Sequence, residues 1–271
     1  MDPSEEIHNP GYYKPRRGKP IEDTAPAGMY DFRRALKISC NTYFIKQGLK
    51  TGPEKIVRVG QKLHLGEKTG MVTRQEVAGN FPTLQQVGAR WSEGDTANLC
   101  IGQGYTDVTP LQMAVMASAI ANGGKVWWPR LVSRIQTQDP FSTEPPVVLP
   151  GGQVRDLLGV SPHTLSILRE AMLADVEDKD GTGREAAVEG LRICGKTGTA
   201  QKKDAHGVLQ EHITWFLSFA PYETPRYAVV VMVENGGSGG KTCAPVAQKV
   251  YQTLQRLEGG FTKGQSVAAV K

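Results

Sequence analysis

Leu191-Arg192-Ile193-Cys194-Gly195-Lys196-Thr197-Gly198-Thr199-Ala200-Gln201 is an apolar run that passes directly into a small, glycine-flanked polar edge carrying one lysine. The pattern reads as a β-strand whose edge a ligand can reach. Small residues let a molecule lie against the backbone while the ammonium supplies positive charge, a combination suited to a carboxylate. Gly190 and Gly195-Lys196-Thr197 also satisfy G-x-x-x-x-G-K-[ST], the phosphate-loop pattern of nucleotide binders. Such a loop needs a helix opening at its lysine. Thr197-Gly198-Thr199-Ala200-Gln201 starts a helix poorly, so a nucleotide binder is a remote alternative. An ordinary strand end with a surface lysine is the plainest reading.

Outward from this stretch, residues 213–220 and 227–234 read as two further strands, the second centred on Val229, Val230, Val231 and Met232. Glu223-Thr224-Pro225-Arg226 between them predicts a hairpin of adjacent antiparallel strands. Pro245 opens a closing helix with Val246, Val250 and Leu254 on one side. Upstream, Ser161-Pro162 caps an amphipathic helix carrying Leu165, Leu168, Met172 and Val176. Thr109-Pro110 opens another, over 111–121, which is apolar on nearly every side and is predicted to be buried. Residues 125–135 have strand character.

Helical spacing runs from Asp31 to Cys40, where Ser39-Cys40-Asn41 interrupts or re-caps it. The apolar face resumes at Tyr43 and Phe44, and a short helix follows Pro53. Residues 67–104 show little periodicity, and residues 1–30, punctuated by prolines, read as irregular coil. The expectation is an α+β fold, with an antiparallel sheet flanked by helices in the second half and an all-helical first half. It divides into a lead-in (1–30), one domain (31–257) and a frayed tail (258–271).

With 39% apolar residues, 31 Gly and 17 Pro in 271, the chain can bury a sizeable core and is not of disordered composition. The net charge of +5 is scattered, with no basic block interleaved with aromatics, which argues against nucleic acid as a partner. No run approaches the ~18 apolar residues that span a bilayer. Cys40, Cys100, Cys194 and Cys243 lack C-x-x-C spacing, and the histidines form no H-E-x-x-H pattern, so neither a metal nor a cofactor is expected.

Two short motifs, Ser39-x-Asn41 and Lys196-Thr197-Gly198-Thr199, stand in the order of the S-D-N-type and K-T-G elements of serine acyl-transfer enzymes. Around them lie Trp91-Ser92-Glu93-Gly94-Asp95-Thr96, Ile101-Gly102-Gln103-Gly104 leading into Thr109-Pro110-Leu111-Gln112, Trp215-Phe216-Leu217-Ser218-Phe219-Ala220-Pro221, and Ala244-Pro245. Together these resemble class B penicillin-binding proteins, most closely the elongation-type (rod-shape) branch, over residues 31–257. The resemblance implies a β-lactamase/transpeptidase-like fold and a D,D-transpeptidase acting on peptidoglycan stem peptides ending in D-Ala-D-Ala, with β-lactams as mimics of the donor.

Carried onto this chain, the resemblance gives Ser39, Asn41 and Lys196 catalytic roles. Ser39 would relay a proton to the leaving amine, Asn41 would bond the donor's amide, and Lys196 would face its carboxylate. Thr197, Gly198 and Thr199 would bind substrate, with the Thr199 N–H a candidate oxyanion donor. Implied partners are a glycosyltransferase and other membrane proteins of an elongation complex, at the periplasmic face of the inner membrane. The block at 91–112 disfavours a carboxypeptidase or β-lactamase on the same fold.

The family's nucleophile lies in S-x-x-K, upstream of the Ser-x-Asn motif, and nothing before Ser39 fits: Ser4 is followed three residues later by Ile7. The one literal match, Ser238-Gly239-Gly240-Lys241, follows K-T-G in a glycine run not expected to start a packed helix. It reads as coincidence. The expectation is an N-terminally truncated, C-terminal part of a transpeptidase domain, inactive alone. The alternative is a non-catalytic module that keeps a carboxylate- or β-lactam-binding site.

Overall fold

The computed structural model describes residues 2–71, 75–203 and 209–259. The chain opens with four short strands, β1 (Ile7–Asn9), β2 (Tyr12–Tyr13), β3 (Ile21–Glu22) and β4 (Gly28–Tyr30). They pair as two antiparallel ribbons, β1 with β4 and β2 with β3. The lead-in is therefore not the irregular coil expected from its prolines; strands of two or three residues leave no periodicity to read. Asn9, fully buried, ties the ribbons to the following loop. Its Nδ2 donates to the carbonyls of Ala25 (3.3 Å) and Pro26 (3.2 Å), and its Oδ1 accepts from Gly11 N (2.8 Å).

Helices α1 (Phe32–Lys37), α2 (Asn41–Thr51) and α3 (Pro53–Lys62) follow, then α4 (Leu84–Arg90) and α5 (Glu93–Cys100). The last two occupy the stretch expected to be featureless. Each begins with a capping box, Thr83 with Gln86 and Ser92 with Asp95, in which side chain and backbone satisfy each other's orphan donors. Seven or eight residues give too few turns for a hydrophobic stripe to show.

Helix α6 (Pro110–Ala121) starts at Thr109-Pro110 as expected and carries a third capping box, with Gln112. The buried Gln112 amide then donates to the carbonyls of Glu67 and Ala78, both at 2.8 Å. The expected all-round burial of α6 fails along one face only. Ala117, Ala119 and Ala121 are buried, whereas Met113, Met116 and Ile120 line an open cleft. Short strands β5 (Lys125–Trp127), β6 (Arg134–Ile135), β7 (Val147–Val148) and β8 (Val154–Leu157) form the ribbons β5–β8 and β6–β7.

Helix α7 (Pro162–Glu177) leads through a glycine-bounded turn to the main sheet, β9 (Cys194–Lys203), β10 (Leu209–Ala220) and β11 (Tyr227–Glu234), and α8 (Ala244–Leu257) closes the fold. The order β11-β10-β9 is antiparallel throughout, with the expected hairpin between β10 and β11. Among the described residues β9 has a neighbour on one side only. Register sets its two faces. Lys196, Gly198 and Ala200 lie opposite Leu217, Trp215 and Ile213, while Thr197 and Thr199 lie opposite Phe216 and Thr214.

The core is continuous across that second face. Phe216 and Tyr251, both fully buried, pack with Val176, Ile193, Ala244 and Ala247, joining the sheet to α7 and α8. A second cluster of Leu36, Met172, Leu173, Cys194 and Phe219 joins the sheet to α1 and α6. Residues 260–271, most of the expected frayed tail, lie outside the described residues. Because Phe216 supports the strand that carries Lys196, Phe216→Ala is expected to cost about 3–5 kcal/mol in urea unfolding, against about 1 kcal/mol for the volume-conserving Phe216→Leu.

Candidate active site

The site is built where two distant turns meet. The first is the break between α1 and α2. Lys37, at the end of α1, is only 8% exposed, and its Nζ bonds Asp178 (3.1 Å) and Asp180 (2.8 Å) beyond α7. Burial works against its charge, but the two carboxylates outweigh it and raise the Lys37 pKa. Two residues on, Ser39 sits at φ +60, in the left-handed region that a side chain disfavours by about 1–2 kcal/mol.

Ser39-Cys40-Asn41 interrupts the helix as expected, between α1 and α2, but neither Ser39 nor Asn41 caps α2. The capping position falls on Cys40, whose side chain makes no cap bond to the α2 backbone. Asp23, from the lead-in, supplies the cap instead. Its Oδ1 accepts from Asn41 N (3.0 Å) and Ala25 N (2.9 Å), and its Oδ2 accepts from Thr42 N (2.6 Å). Thr24 Oγ1 donates to the Ser39 carbonyl at 2.7 Å. These bonds hold the strained turn, and they leave the Ser39 hydroxyl free for another partner.

That partner is Lys196, brought in by the exposed edge of β9. Its Nζ donates to Ser39 Oγ and, at 2.9 Å, to the Thr197 carbonyl. No helix opens at Lys196, since Cys194–Lys203 is strand throughout, which removes the phosphate-loop reading. Burial lowers the Lys196 pKa, opposed by the negative charge of Asp175 on α7. Asp175 is itself fully buried, and desolvation raises its pKa to about 6 against the pull of Lys196 and of hydrogen bonds from Thr182.

The other expected site residues are distributed unevenly around this pair. Asn41 Nδ2 donates to the Glu22 carbonyl at 3.0 Å, so its amide is engaged by the lead-in. Thr197 and Thr199 lie on the other face of β9 from Lys196, yet at this edge strand both still line the same cleft. Thr197 Oγ1 is 2.6 Å from Thr182 Oγ1, and Thr199 Oγ1 accepts from Gly239 N at 3.3 Å. Gly198 is under no internal demand to be glycine, because an added Cβ would sit 3.4 Å from Trp215 Cβ, near ordinary contact.

Close packing falls instead on the run 236–240. A Cβ at Gly239 would come within 2.3 Å of the Trp215 carbonyl oxygen, and one at Gly240 within 2.3 Å of that of Thr182. The run therefore lies against β9, and contrary to expectation it does start a helix. Ser238 Oγ accepts from Lys241 N (3.3 Å) and caps a π-helical turn, Gly239–Cys243, that runs into α8. Missing side chains are what permit the turn to pack. Sequence reading missed Asp23, Asp175 and Thr182.

In front of Lys196 lies a cleft of about 940 Å³, floored by Lys196–Gln201 and walled by Met113, Met116, Met172 and Trp215. Its walls are apolar and its charge comes from one lysine, which suits an anionic group on an otherwise apolar or peptide ligand. Among the described residues no group of three or more His, Cys, Asp or Glu side chains is placed to hold a metal ion.

Residues 1–252 match the family model described as the penicillin binding protein transpeptidase domain. The peptidoglycan D,D-transpeptidase MrdA of Haemophilus influenzae is 32% identical over 278 residues, which cover 95% of this chain and 42% of that protein. Among solved structures, penicillin-binding protein 3 of Mycobacterium tuberculosis complexed with aztreonam superposes with a TM-score of 0.81 at 29% identity, covering 95% of this chain and 58% of that one. The complex of PBP2 with MreC from Helicobacter pylori gives a TM-score of 0.74 at 26% identity, covering 95% and 46%. The chain thus spans less than half the length of the curated relative.

Two expectations follow from the geometry. Asp23→Ala removes the cap and is expected to destabilise the chain by about 1 kcal/mol, with Asp23→Asn, which keeps one accepting oxygen and sets an NH2 against the other N–H, recovering only part of it, as read by thermal melting. Because the folded-state pKa of Asp175 is raised, its contribution to stability is fully present below about pH 4 and is lost as pH rises through about 6. That shift corresponds to about 3 kcal/mol. Urea unfolding from pH 4 to 7 should show this slope in the wild type and lose it in Asp175→Asn.

Proposed function

The chain belongs to the transpeptidase family of penicillin-binding proteins, and from that premise we propose that it forms the carboxylate-recognising part of a peptidoglycan D,D-transpeptidase of the elongation type. The observation that carries the proposal is the bond from Lys196 Nζ to Ser39 Oγ, which joins the K-T-G edge to the Ser-x-Asn turn across the chain. In the reaction, a serine attacks the penultimate carbonyl of a D-Ala-D-Ala stem, D-Ala leaves, and an amine of a neighbouring strand resolves the acyl-enzyme. Ser39 passes a proton to the departing amine. Lys196, adjacent, donates to the hydroxyl and polarises it, and its ammonium form attracts the terminal carboxylate. Gly198, free of internal packing demands, lets the peptide lie against β9. The Thr199 N–H is the candidate donor to the developing oxyanion.

No serine before Ser39 stands in an S-x-x-K pattern, so none of these residues is assigned as the attacking nucleophile. S-x-x-K occurs in the chain only at Ser238, whose hydroxyl is committed to capping the turn before α8. The second reading, a non-catalytic module that binds carboxylates or β-lactams, is favoured by the same commitment of Ser238. By analogy with the aztreonam and MreC complexes of relatives, β-lactams and a membrane-associated elongation protein are proposed partners, with a glycosyltransferase a further one. The proposed location is the outer face of the cytoplasmic membrane; no helix among the described residues is long and apolar enough to cross one.

Incubated with a fluorescent penicillin, the 271-residue chain is expected to remain unlabelled after denaturing electrophoresis; covalent label at Ser238 would overturn the assignment. N-acetyl-D-Ala-D-Ala is expected to bind reversibly, and Lys196→Ala to weaken it about 10- to 100-fold, the worth of one charged hydrogen bond. Unchanged affinity in that variant removes Lys196 from the site. The open apolar cleft also predicts a tendency to associate at high concentration, which light scattering would measure.

A further inference from the structure

Beneath the K-T-G edge lies a line of hydrogen bonds that the proposed reaction does not use. Asp175 Oδ1 accepts from Thr182 N at 3.1 Å and from Thr182 Oγ1 at 2.5 Å. Thr182 Oγ1 in turn lies 2.6 Å from Thr197 Oγ1. Asp175 Oδ2 is buried without a hydrogen-bond partner among the described residues. We infer that Asp175 is a positioning residue: through Thr182 it fixes the direction of the Thr197 hydroxyl, and with it whether β9 offers a bound carboxylate an O–H donor or only lone pairs.

A threonine hydroxyl has one proton to donate. With Asp175 ionised, the Thr182 proton goes to the carboxylate; the competing Lys37 carbonyl is longer, at 3.3 Å, and uncharged. Thr197 must then donate inward to Thr182, leaving lone pairs outward, where they repel an anion. With Asp175 protonated on Oδ1, the line reverses. Asp175 donates to Thr182, Thr182 donates to Thr197, and the Thr197 proton is released toward the ligand. A proton on Oδ2 would be a buried donor with nothing to bond, which disfavours that form.

Of the charges around Asp175, one acts on it directly and the others are engaged elsewhere. On β9 it faces Lys196, whose charge favours the ionised acid. On α1, Lys37 is held by Asp178 and Asp180, with Arg33 also on Asp178. Beyond Gly183, Arg184 is turned to the Lys179 carbonyl at 3.3 Å. Burial brings the acid's titration to about 6, so the line reverses within an accessible pH range.

This inference rests on the transpeptidase reading for its ligand but not for its mechanism, and the test has two arms. In the ligand-free full chain, carbon-13 NMR follows the Asp175 carboxyl and the Thr197 side chain from pH 4.5 to 8. The Thr197 signals should titrate with Asp175 in the wild type and cease to do so in Thr182→Val. A Thr197 signal indifferent to pH while Asp175 titrates, or one still coupled in Thr182→Val, overturns the inference. In the second arm, binding of N-acetyl-D-Ala-D-Ala, whose carboxylate stays ionised above about pH 5, is measured calorimetrically. Affinity should rise about 3- to 10-fold from pH 7.5 to pH 5, one hydrogen bond gained. Asp175→Asn and Thr182→Val should each remove that step, whereas a merely structural role would lower affinity equally at every pH. A step persisting in Asp175→Asn overturns the inference. Absence of dipeptide binding at any pH sinks the transpeptidase reading and leaves the NMR arm to decide the role of Asp175.

Discussion

The structure turns on one desolvated cation. Taking the Lys196 ammonium away from water is costly unless other groups replace the lost hydration. Here the replacements come from three separate parts of the chain. Ser39 Oγ arrives from the turn between α1 and α2, the Thr197 carbonyl from β9 itself, and the charge of Asp175 from α7. Each replacement has its own support. The Asp23 cap and Thr24 hold the Ser39 turn, the Phe216 core holds β9, and the turn at Gly181-Thr182-Gly183 wraps the Asp175 carboxylate. A lysine held in this way by one hydroxyl, one carbonyl and the charge of Asp175 keeps some attraction for an incoming anion.

The same constraint explains the glycine run before α8. For the loop to lie against β9 without displacing Lys196 or Thr197, its backbone must come closer than a Cβ allows at Gly239 and Gly240. The serine in that run is consumed as a helix cap. The S-x-x-K string at Ser238 thus answers packing and capping demands of the turn before α8. The match of residues 1–252 to the transpeptidase domain, and the aztreonam-bound relative, accord with the cleft in front of Lys196.

Much of the second half was legible in the sequence. The β9–β11 sheet announced itself through long apolar runs and a proline-marked hairpin, and α6 and α7 through a capping residue followed by proline. The resemblance to elongation-type class B proteins, read from short motifs, is borne out by the MrdA relatives. What stayed hidden depends on tertiary contact. Asp23 caps a helix that begins 18 residues later, a relation no local pattern carries. Asp175 looked like one more polar residue of an amphipathic helix, and only the fold shows it fully buried. Helices α4 and α5 were legible in principle, since Thr83-x-x-Gln86 and Ser92-x-x-Asp95 are capping boxes, but they were passed over for want of periodicity.

The account is tested most directly by the ionisation of Lys196 itself. Nitrogen-15 NMR of the lysine side chains of the ligand-free chain would isolate its titration. A buried ammonium held by Ser39 and opposed in charge by Asp175 should titrate below the ordinary lysine range, and lower still in Asp175→Asn, where the charge that sustains it is gone. A Lys196 that titrates like a surface lysine, unmoved by that substitution, would contradict the account.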